Sequence, residues 1–256
     1  MNAPHLAPYH SGAVPVACAA AQAFLLTDLH LAPERPQEIA ALAIRLQHLT
    51  DSTTSAGRVL IVMGDLFDAY AGPEDWDLPA FSALRDAFRS LRAAGVRVFL
   101  LRGNRDVMLE PDPAAVAEIT DSVLLRLPGR APALITHGDA FCLADRRYQF
   151  LRRTLRRPGL RRFLLRRGPG TRRWLAARLR GVSRGELARK PLAHLDVAPE
   201  VLEGEMRRLG AAWAVVGHLH QDRRMSFANG LRARILPAWD PDSRPWDLAE
   251  ILDGQA

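Results

Sequence analysis

Five short clusters of acidic residues, histidine and asparagine, each placed directly after a short apolar run, constrain this chain more than any other feature. They are Asp28-Leu29-His30, Gly64-Asp65-Leu66-Phe67-Asp68, Gly103-Asn104-Arg105-Asp106, His137-Gly138-Asp139 and Gly217-His218-Leu219-His220. The runs before them, at 23–27, 58–63, 96–101, 133–136 and 212–216, are apolar and of strand length, so each is read as a buried strand. Apolar residues at helical spacing predict helices at 39–49, at 81–94 (closed by Gly95) and at 201–209. Runs at 232–236 and 248–252 are expected to be further strands. Strand, polar cluster and helix in repetition is the pattern of an α/β sheet, where ligands bind beyond the carboxyl ends of the strands because the loops converge there. A single cluster at such an end would mean little, whereas five in register predict a site.

Two clusters use one-residue spacing. At a strand end this spacing places both side chains on one face, so Asp28 with His30, and His218 with His220, are each expected to grip together. Glycines precede Asp65, Asn104 and His218 and follow His137, where they permit tight turns and close backbone approach. Carboxylate, imidazole and amide oxygen without thiolate are borderline-to-hard ligands, suited to Mn²⁺, Fe or Zn²⁺ rather than to a structural zinc site. Seven donors (Asp28, His30, Asp65, Asn104, His137, His218 and His220) are too many for one ion and suit two ions that share a carboxylate. Such ions, about 3.5–4 Å apart, clamp a phosphoryl group and a nucleophilic hydroxide. Taken singly, an aspartate is more often a cap or turn residue; the set carries the reading. Asp68, Asp106 and Asp139 are expected to orient ligands or backbone. His5, His10, His48 and His194 fit no motif, and His48 is read as a helix-surface residue.

Nearly half of the 256 residues are apolar, enough for the core of one large α/β domain, and no apolar stretch reaches the roughly 20 residues that span a membrane. Two cysteines, Cys18 and Cys142, allow one disulfide at most and point to a reducing compartment. The apolar run at 14–26 has no Lys or Arg before it and so lacks the basic region of a signal peptide. Residues 1–21, rich in Ala and Pro, are expected to be a disordered leader, and 22–256 one domain. The net charge of +7 is unevenly spread: 146–190 holds 17 Lys and Arg and one acid, Glu186, a net of +16 that leaves −9 for the rest. This basic segment reads as helices broken at Pro158-Gly159 and Gly168-Pro169-Gly170, with arginine pairs at 152/153, 156/157, 161/162, 166/167 and 172/173 and Leu, Phe and Trp between them. Three readings fit it: a helical hairpin with a solvated basic face, a surface for nucleic-acid phosphates, or contact with an anionic membrane, where each basic residue contributes about 1 kcal/mol. The leucines, Phe163 and Trp174 favour the membrane over nucleic acid.

The motif series D-x-H, G-D-x-x-D, G-N-x-D/E, H-G and G-H-x-H resembles that of the calcineurin-like metallophosphoesterases, and all five motifs occur here in order. The resemblance implies a four-layer αββα sandwich of the α/β class. It implies one ion on Asp28, His30, Asp65 and His220, and another on Asp65 as bridge, Asn104, His137 and His218. Many members have a histidine after the G-N pair as the general acid; Arg105 stands there in this chain. Arginine stays protonated and cannot give up that proton, but its fork of donors stabilises charge on phosphate oxygens. Without a strong acid the favoured leaving group is a phosphate monoester, with a second pKa of about 6, rather than an alkoxide, so a diphosphate is the expected substrate.

A closer resemblance, from about residue 23 to the end, is to the UDP-2,3-diacylglucosamine hydrolases of lipid A synthesis. It rests on Asp65-Leu66-Phe67-Asp68-Ala69, Gly103-Asn104-Arg105-Asp106, His137-Gly138-Asp139 followed by Cys142 and Tyr148, and Ala238-Trp239. It implies that 146–198 is a helical lid insertion cradling acyl chains, and that Asn104, Arg105, Asp145, Ser183, Leu187, Lys190 and His218 contact substrate. It implies catalytic roles for Asp65, Asn104 and Arg105, two divalent ions with Mn²⁺ expected, and attack of hydroxide on the α-phosphorus to give UMP and 2,3-diacylglucosamine 1-phosphate. A monomer is expected, without nucleic-acid partners, cytoplasmic and peripheral on the inner membrane of a Gram-negative bacterium. Lys190 is the chain's single lysine. Leu187 stands where the family has asparagine and Asp240 follows Trp239 in place of histidine; both departures concern lid and substrate contacts, not the metal set. The rival readings are another enzyme of this fold, a dinucleotide polyphosphatase or nuclease, and a non-catalytic membrane-associated metal-binding protein.

Overall fold

The computed structural model describes residues 13–19, 22–50, 56–110, 116–187 and 196–254, with side chains as far as Arg178 in the helix that ends at 187. Among the described residues the elements in chain order are β1 (Val14–Ala17), β2 (Ala23–Leu26), α1 (Pro36–Gln47), β3 (Val59–Val62), α2 (Pro73–Trp76), α3 (Ser82–Ala93), β4 (Arg97–Leu101), β5 (Glu118–Thr120), β6 (Ser122–Arg126) and β7 (Ala133–Thr136). They continue as α4 (Arg146–Leu155), α5 (Pro158–Leu165), α6 (Pro169–Leu187), α7 (Pro199–Leu209), β8 (Trp213–Val216), β9 (Arg223–Ser226), β10 (Arg232–Ile235), β11 (Trp246–Asp247) and α8 (Leu248–Asp253).

The strands form two sheets, of order β1-β6-β7-β8-β10-β9 and β11-β2-β3-β4-β5. In the second, β2 through β5 run parallel and β11 closes one edge antiparallel. Because side chains alternate along a strand, each sheet sends residues both ways. Leu25, Ile61 and Phe99 meet Val123, Ile135 and Val215 in a core between the sheets. Leu26, Leu60, Val62 and Leu100 face outwards onto α1 and α3, and Leu134, Ala214, Val216 and Ile235 face α7. Burial on both faces is why β3, Val-Leu-Ile-Val, is apolar throughout rather than alternating. The layer order α, β, β, α is the expected one. The five polar clusters follow β2, β3, β4, β7 and β8, so one end of the sandwich receives all of them.

Three expectations change. Val14–Ala17 falls in the expected leader but pairs in parallel with β6, with Val16 in the core between the sheets and Pro15 tolerated because β1 is an edge strand; residues 1–12 and 20–21 lie outside the described residues. The run at 248–252 is helix, not strand. Asp247 caps it by accepting from the Ala249 N–H, and Leu248 and Ile251 are spaced for a helix face buried in the core. The strands at 118–126 carried no polar cluster to mark them, and β9, Arg-Arg-Met-Ser, lacks the apolar alternation of a strand. Cys18 and Cys142 are buried and unbonded to each other.

The basic segment breaks into α4, α5 and α6 where expected, with Pro158 and Pro169 at the first helical positions, which need no N–H partner. Its arginine pairs divide. Arg152, Arg156, Arg161 and Arg172, the first member of four pairs, turn inwards with side chains only 4–13% exposed. Each meets a carboxylate: Arg152 at 2.8 Å from Asp139, Arg156 at 2.6 Å from Asp121, Arg161 on Glu110, and Arg172 at 2.6 Å from Glu74. Arg153, Arg157, Arg162 and Arg173 face out. Leu155, Leu164 and Leu165 pack on the core beneath, while Phe150, Phe163 and Trp174 are exposed. Among the described residues no helix is long and apolar enough to cross a membrane.

Leu60 is wholly buried between β-sheet and α-helices. Leu60→Ala is expected to lower the free energy of unfolding by about 2–5 kcal/mol, and Val14→Ala, at a partly exposed edge, by under about 0.5 kcal/mol, both read from urea denaturation midpoints.

Candidate metal centre

Each cluster begins where its strand ends, and the backbone there leaves ordinary conformations. Among the described residues, the non-glycine residues with positive φ are Asp28, His30, Asp65, His218 and His220, at 49° to 70°. All five are predicted ligands. Left-handed backbone costs a residue with a side chain roughly 1–3 kcal/mol and persists only where the surroundings impose it. It also replaces the expected reason for the one-residue spacing. Asp28 and His30 lie beyond β2, and His218 and His220 beyond β8, so left-handed turns rather than strand alternation aim them. His218 and His220 accordingly do not grip together: His220 joins Asp28 and His30, whereas the His218 ring lies edge-on to that of His137 at 4.9 Å.

The structure brings the predicted donors into one pocket. Nitrogen and oxygen atoms of Asp28, His30 and His220 lie within 4.8 Å of one another, as do those of Asp28, Asp65 and His137. Asp65 reaches His30 Nδ1 at 3.9 Å with one oxygen and His137 Nε2 at 3.7 Å with the other. The Asn104 amide oxygen is 3.0 Å from His137 Nε2, while His137 Nδ1 donates to the Met63 carbonyl at 3.0 Å and so fixes the ring. Thr27 Oγ1 and the His218 N–H donate to Asp28 Oδ2 at 2.6 and 2.8 Å. Two glycines are required by proximity. A Cβ on Gly103 would stand 2.1 Å from the Asp65 carboxylate, and one on Gly217 would stand 2.0 Å from Thr27 Oγ1.

A cation fits this donor set. Asp28 Oδ1 and His30 Nδ1 are buried without a hydrogen-bond partner, inside a cluster of carboxylates and imidazoles, and buried charge demands compensation. Protons supply part of it. Burial pushes the Asp65 carboxyl up to about 7. Burial lowers His137, but Asp65 and Asp28 beside it outweigh that and raise its pKa. Burial, aided by Arg105, pulls His30 down to about 4, and burial, aided by His137, does the same to His218, so both imidazoles are neutral and free to ligate at neutral pH. Burial works to raise Asp28, yet His220, His137 and Thr27 together hold it below the usual carboxylate range.

The supporting aspartates have separate tasks. Asp106 accepts from the Leu66 and Gly103 N–H groups at 2.9 and 2.7 Å, tying two of the site loops. Asp68 holds the Arg105 guanidinium, whose Nε is 3.5 Å from Asp65. Asp139 is buried and accepts from Tyr148 Oη at 2.5 Å and Arg152 Nε at 2.8 Å. Among the expected substrate residues, Asn104, Arg105 and His218 are at the site. Asp145 caps α4, its carboxylate accepting from the Tyr148 N–H at 3.1 Å. Ser183 and Leu187 lie on α6 where side chains are not described, and Lys190 and His194 lie outside the described residues. The inward arginines and Tyr148 were missed as parts of this neighbourhood, since a run of arginine pairs carries no mark of which member is buried.

Comparison with known proteins agrees with this geometry. Residues 23–222 match the family model described as calcineurin-like phosphoesterase. UDP-2,3-diacylglucosamine hydrolase of Neisseria meningitidis serogroup B is 33% identical over 86% of this chain and 90% of its own length. Relatives of the same name from Cellvibrio japonicus and Aeromonas salmonicida are 35% and 34% identical, covering 90% and 84% of this chain and 95% and 84% of theirs. With buried carboxylates, imidazoles and an asparagine converging beyond the strands of a two-sheet sandwich, the chain belongs to the calcineurin-like phosphoesterase family.

Proposed function

We propose that this chain hydrolyses the diphosphate of UDP-2,3-diacylglucosamine, giving UMP and 2,3-diacylglucosamine 1-phosphate, with two divalent ions, Mn²⁺ in the cell. The observation that carries the reaction type is Arg105, a guanidinium held by Asp68 beside Asp65 and Asn104, where a proton-donating acid would otherwise stand. The names of the relatives supply the substrate class. One ion takes Asp28, His30, Asp65 and His220, the other Asp65, Asn104, His137 and His218; when bound, the ions supply Lewis acidity to the phosphoryl oxygens and acidify the nucleophilic water.

The chain's own groups supply the rest. Arg105 forks onto the phosphate oxygens and offsets their growing charge. Neither leaving oxygen needs a strong acid, because a phosphate monoester departs with a second pKa of about 6. On this reading the basic insertion is a lid over the lipid-bearing half, and Asp145, Ser183, Leu187 and Lys190 are substrate-binding residues. The exposed Phe150, Phe163 and Trp174, interspersed with outward arginines such as Arg167 over the Phe163 ring at 4.4 Å, suit the boundary of an anionic leaflet. On this reading the chain is a monomer that works at the cytoplasmic face of the inner membrane.

Asp65→Ala and His137→Ala are expected to lower turnover by more than roughly 100-fold, beyond the loss of an outer-shell partner, with unchanged circular dichroism. Activity within tenfold of wild type in either would remove the site assignment. Hydrolysis in ¹⁸O-labelled water, followed by mass spectrometry, is expected to put the label on UMP; label on the lipid phosphate would refute attack at the α-phosphorus. Asp65 holds a proton below about 7 in the metal-free chain and must release it to bind a cation. Mn²⁺ affinity should therefore rise from pH 6 to pH 8 with net proton release, measured by calorimetry in buffers of different ionisation enthalpy. Replacing Arg157, Arg162, Arg166 and Arg167 by Gln is expected to weaken sedimentation with anionic vesicles while sparing hydrolysis of a soluble nucleotide diphosphate.

A further inference from the structure

The arginine that caps the C-terminal end of α4 touches both loops that form the Asn104–His137 half of the site. Arg156 is buried against the body of the protein, with a side chain 10% exposed. Its Nη1 donates to Asp121 at 2.6 Å. Its Nη2 donates to the Arg102 carbonyl at 2.9 Å, approaches the Gly103 carbonyl at 3.4 Å, and lies 3.3 Å from Asp139. The two carbonyls immediately precede Asn104, and Asp139 sits two residues after His137. Asp121 also receives Arg102 Nη1 at 3.3 Å, and Arg102 Nε donates to the Leu109 carbonyl at 2.7 Å, so the far side of the Asn104 loop is held as well. A planar guanidinium presents its donors on two separated nitrogens and so reaches acceptors on both sides, whereas an ammonium holds its three donors on one atom. Its neighbour Arg152 meets Asp139, and Arg172 and Arg161 pair with Glu74 and Glu110, away from the donor cluster.

We infer that Arg156 is a positioning residue: from the basic insertion it fixes the Asn104 loop against the His137 loop, and so sets the half of the centre that binds the second ion. The inference rests on the two-ion reading above. Its consequence is that the insertion is a working part of the metal centre as well as a cover for lipid. An insertion lifted from the body leaves Asn104 without its brace, so the second ion is held weakly until α4 is seated. Of the other three inward arginines, Arg152 reaches the His137 loop at Asp139, while Arg161 and Arg172 seat the insertion on Glu110 and Glu74.

The test is a Mn²⁺ titration of the full chain followed by electron paramagnetic resonance, which separates an isolated ion from an exchange-coupled pair, beside steady-state hydrolysis of UDP-2,3-diacylglucosamine in detergent micelles. Wild type and Arg172→Gln are expected to reach the coupled spectrum at the same Mn²⁺ concentration. Arg156→Gln is expected to bind its first ion as wild type does and to need roughly 10–100-fold more Mn²⁺ for the coupled spectrum, the usual effect of an outer-shell partner. Its kcat should fall at limiting Mn²⁺ and recover with excess, at constant KM. Arg156→Lys keeps the charge between Asp121 and Asp139, and with it the fold, yet should show the same shift because its single nitrogen cannot hold Asp121 and the two carbonyls together. If both Arg156 variants titrate as wild type does, or if Arg172→Gln shifts as far as they do, the inference is overturned. A wild-type chain that never gives a coupled spectrum overturns the two-ion reading itself and this inference with it; failure confined to the variants overturns the inference alone.

Discussion

Two carboxylates, Asp28 and Asp65, are buried within reach of the same imidazole, His137, and the rest of the molecule is arranged to keep them there. Such a group of acids and bases out of water is unstable unless charge is neutralised. In the metal-free chain burial raises the Asp65 carboxyl, and the neighbouring carboxylates raise His137, so bound protons offset part of the charge that a cation would neutralise. Five left-handed residues and the crowded contacts of Gly103 and Gly217 are the conformational cost of assembling it. Two sheets packed back to back, buried on both faces by α1, α3 and α7, provide the rigid frame that holds such strain.

The same rule organises the basic insertion. Its charge of +16 looks, along the sequence, like one continuous face turned to a partner. In the fold the charge is shared. Arg152, Arg156, Arg161 and Arg172 neutralise Asp139, Asp121, Glu110 and Glu74 of the acidic body, and the other members of those pairs stay outside. The opposite charge of the two parts is therefore in the first place an internal adhesive, best shielded from solvent screening at Arg152–Asp139 and Arg156–Asp121, where both partners are largely buried. What remains outside, arginines among exposed Phe150, Phe163 and Trp174, is what the surroundings meet.

Much of the architecture was legible because its signals are local. Apolar runs ending in a glycine beside an acid, asparagine or histidine marked β3, β4, β7 and β8, and the breaks at Pro158 and Pro169 marked the ends of α4 and α5. Elements without such punctuation were not legible. β1 is an edge strand whose only core residue is Val16, β9 is polar, and the short apolar run at 248–252 fits either period until Asp247 is known to cap a helix. The convergence of Asp28, His30, Asp65, Asn104, His137 and His220 was readable from spacing and residue type. The partition of His218 from His220 came only from the family resemblance and not from spacing, since it follows from left-handed turns that neither residue prefers.

The sequence by itself determined the chemistry: hard and borderline donors in five clusters, an arginine in place of an acid, and a basic segment between the fourth and fifth clusters. Those are properties of residue type and order, and they survive any error in placing an element. Tertiary structure alone decided which donors meet, which protons they keep, and which arginine of each pair turns inwards. Those outcomes depend on burial and on partners more than a hundred residues away, as between Arg172 and Ala71, and no local pattern encodes them.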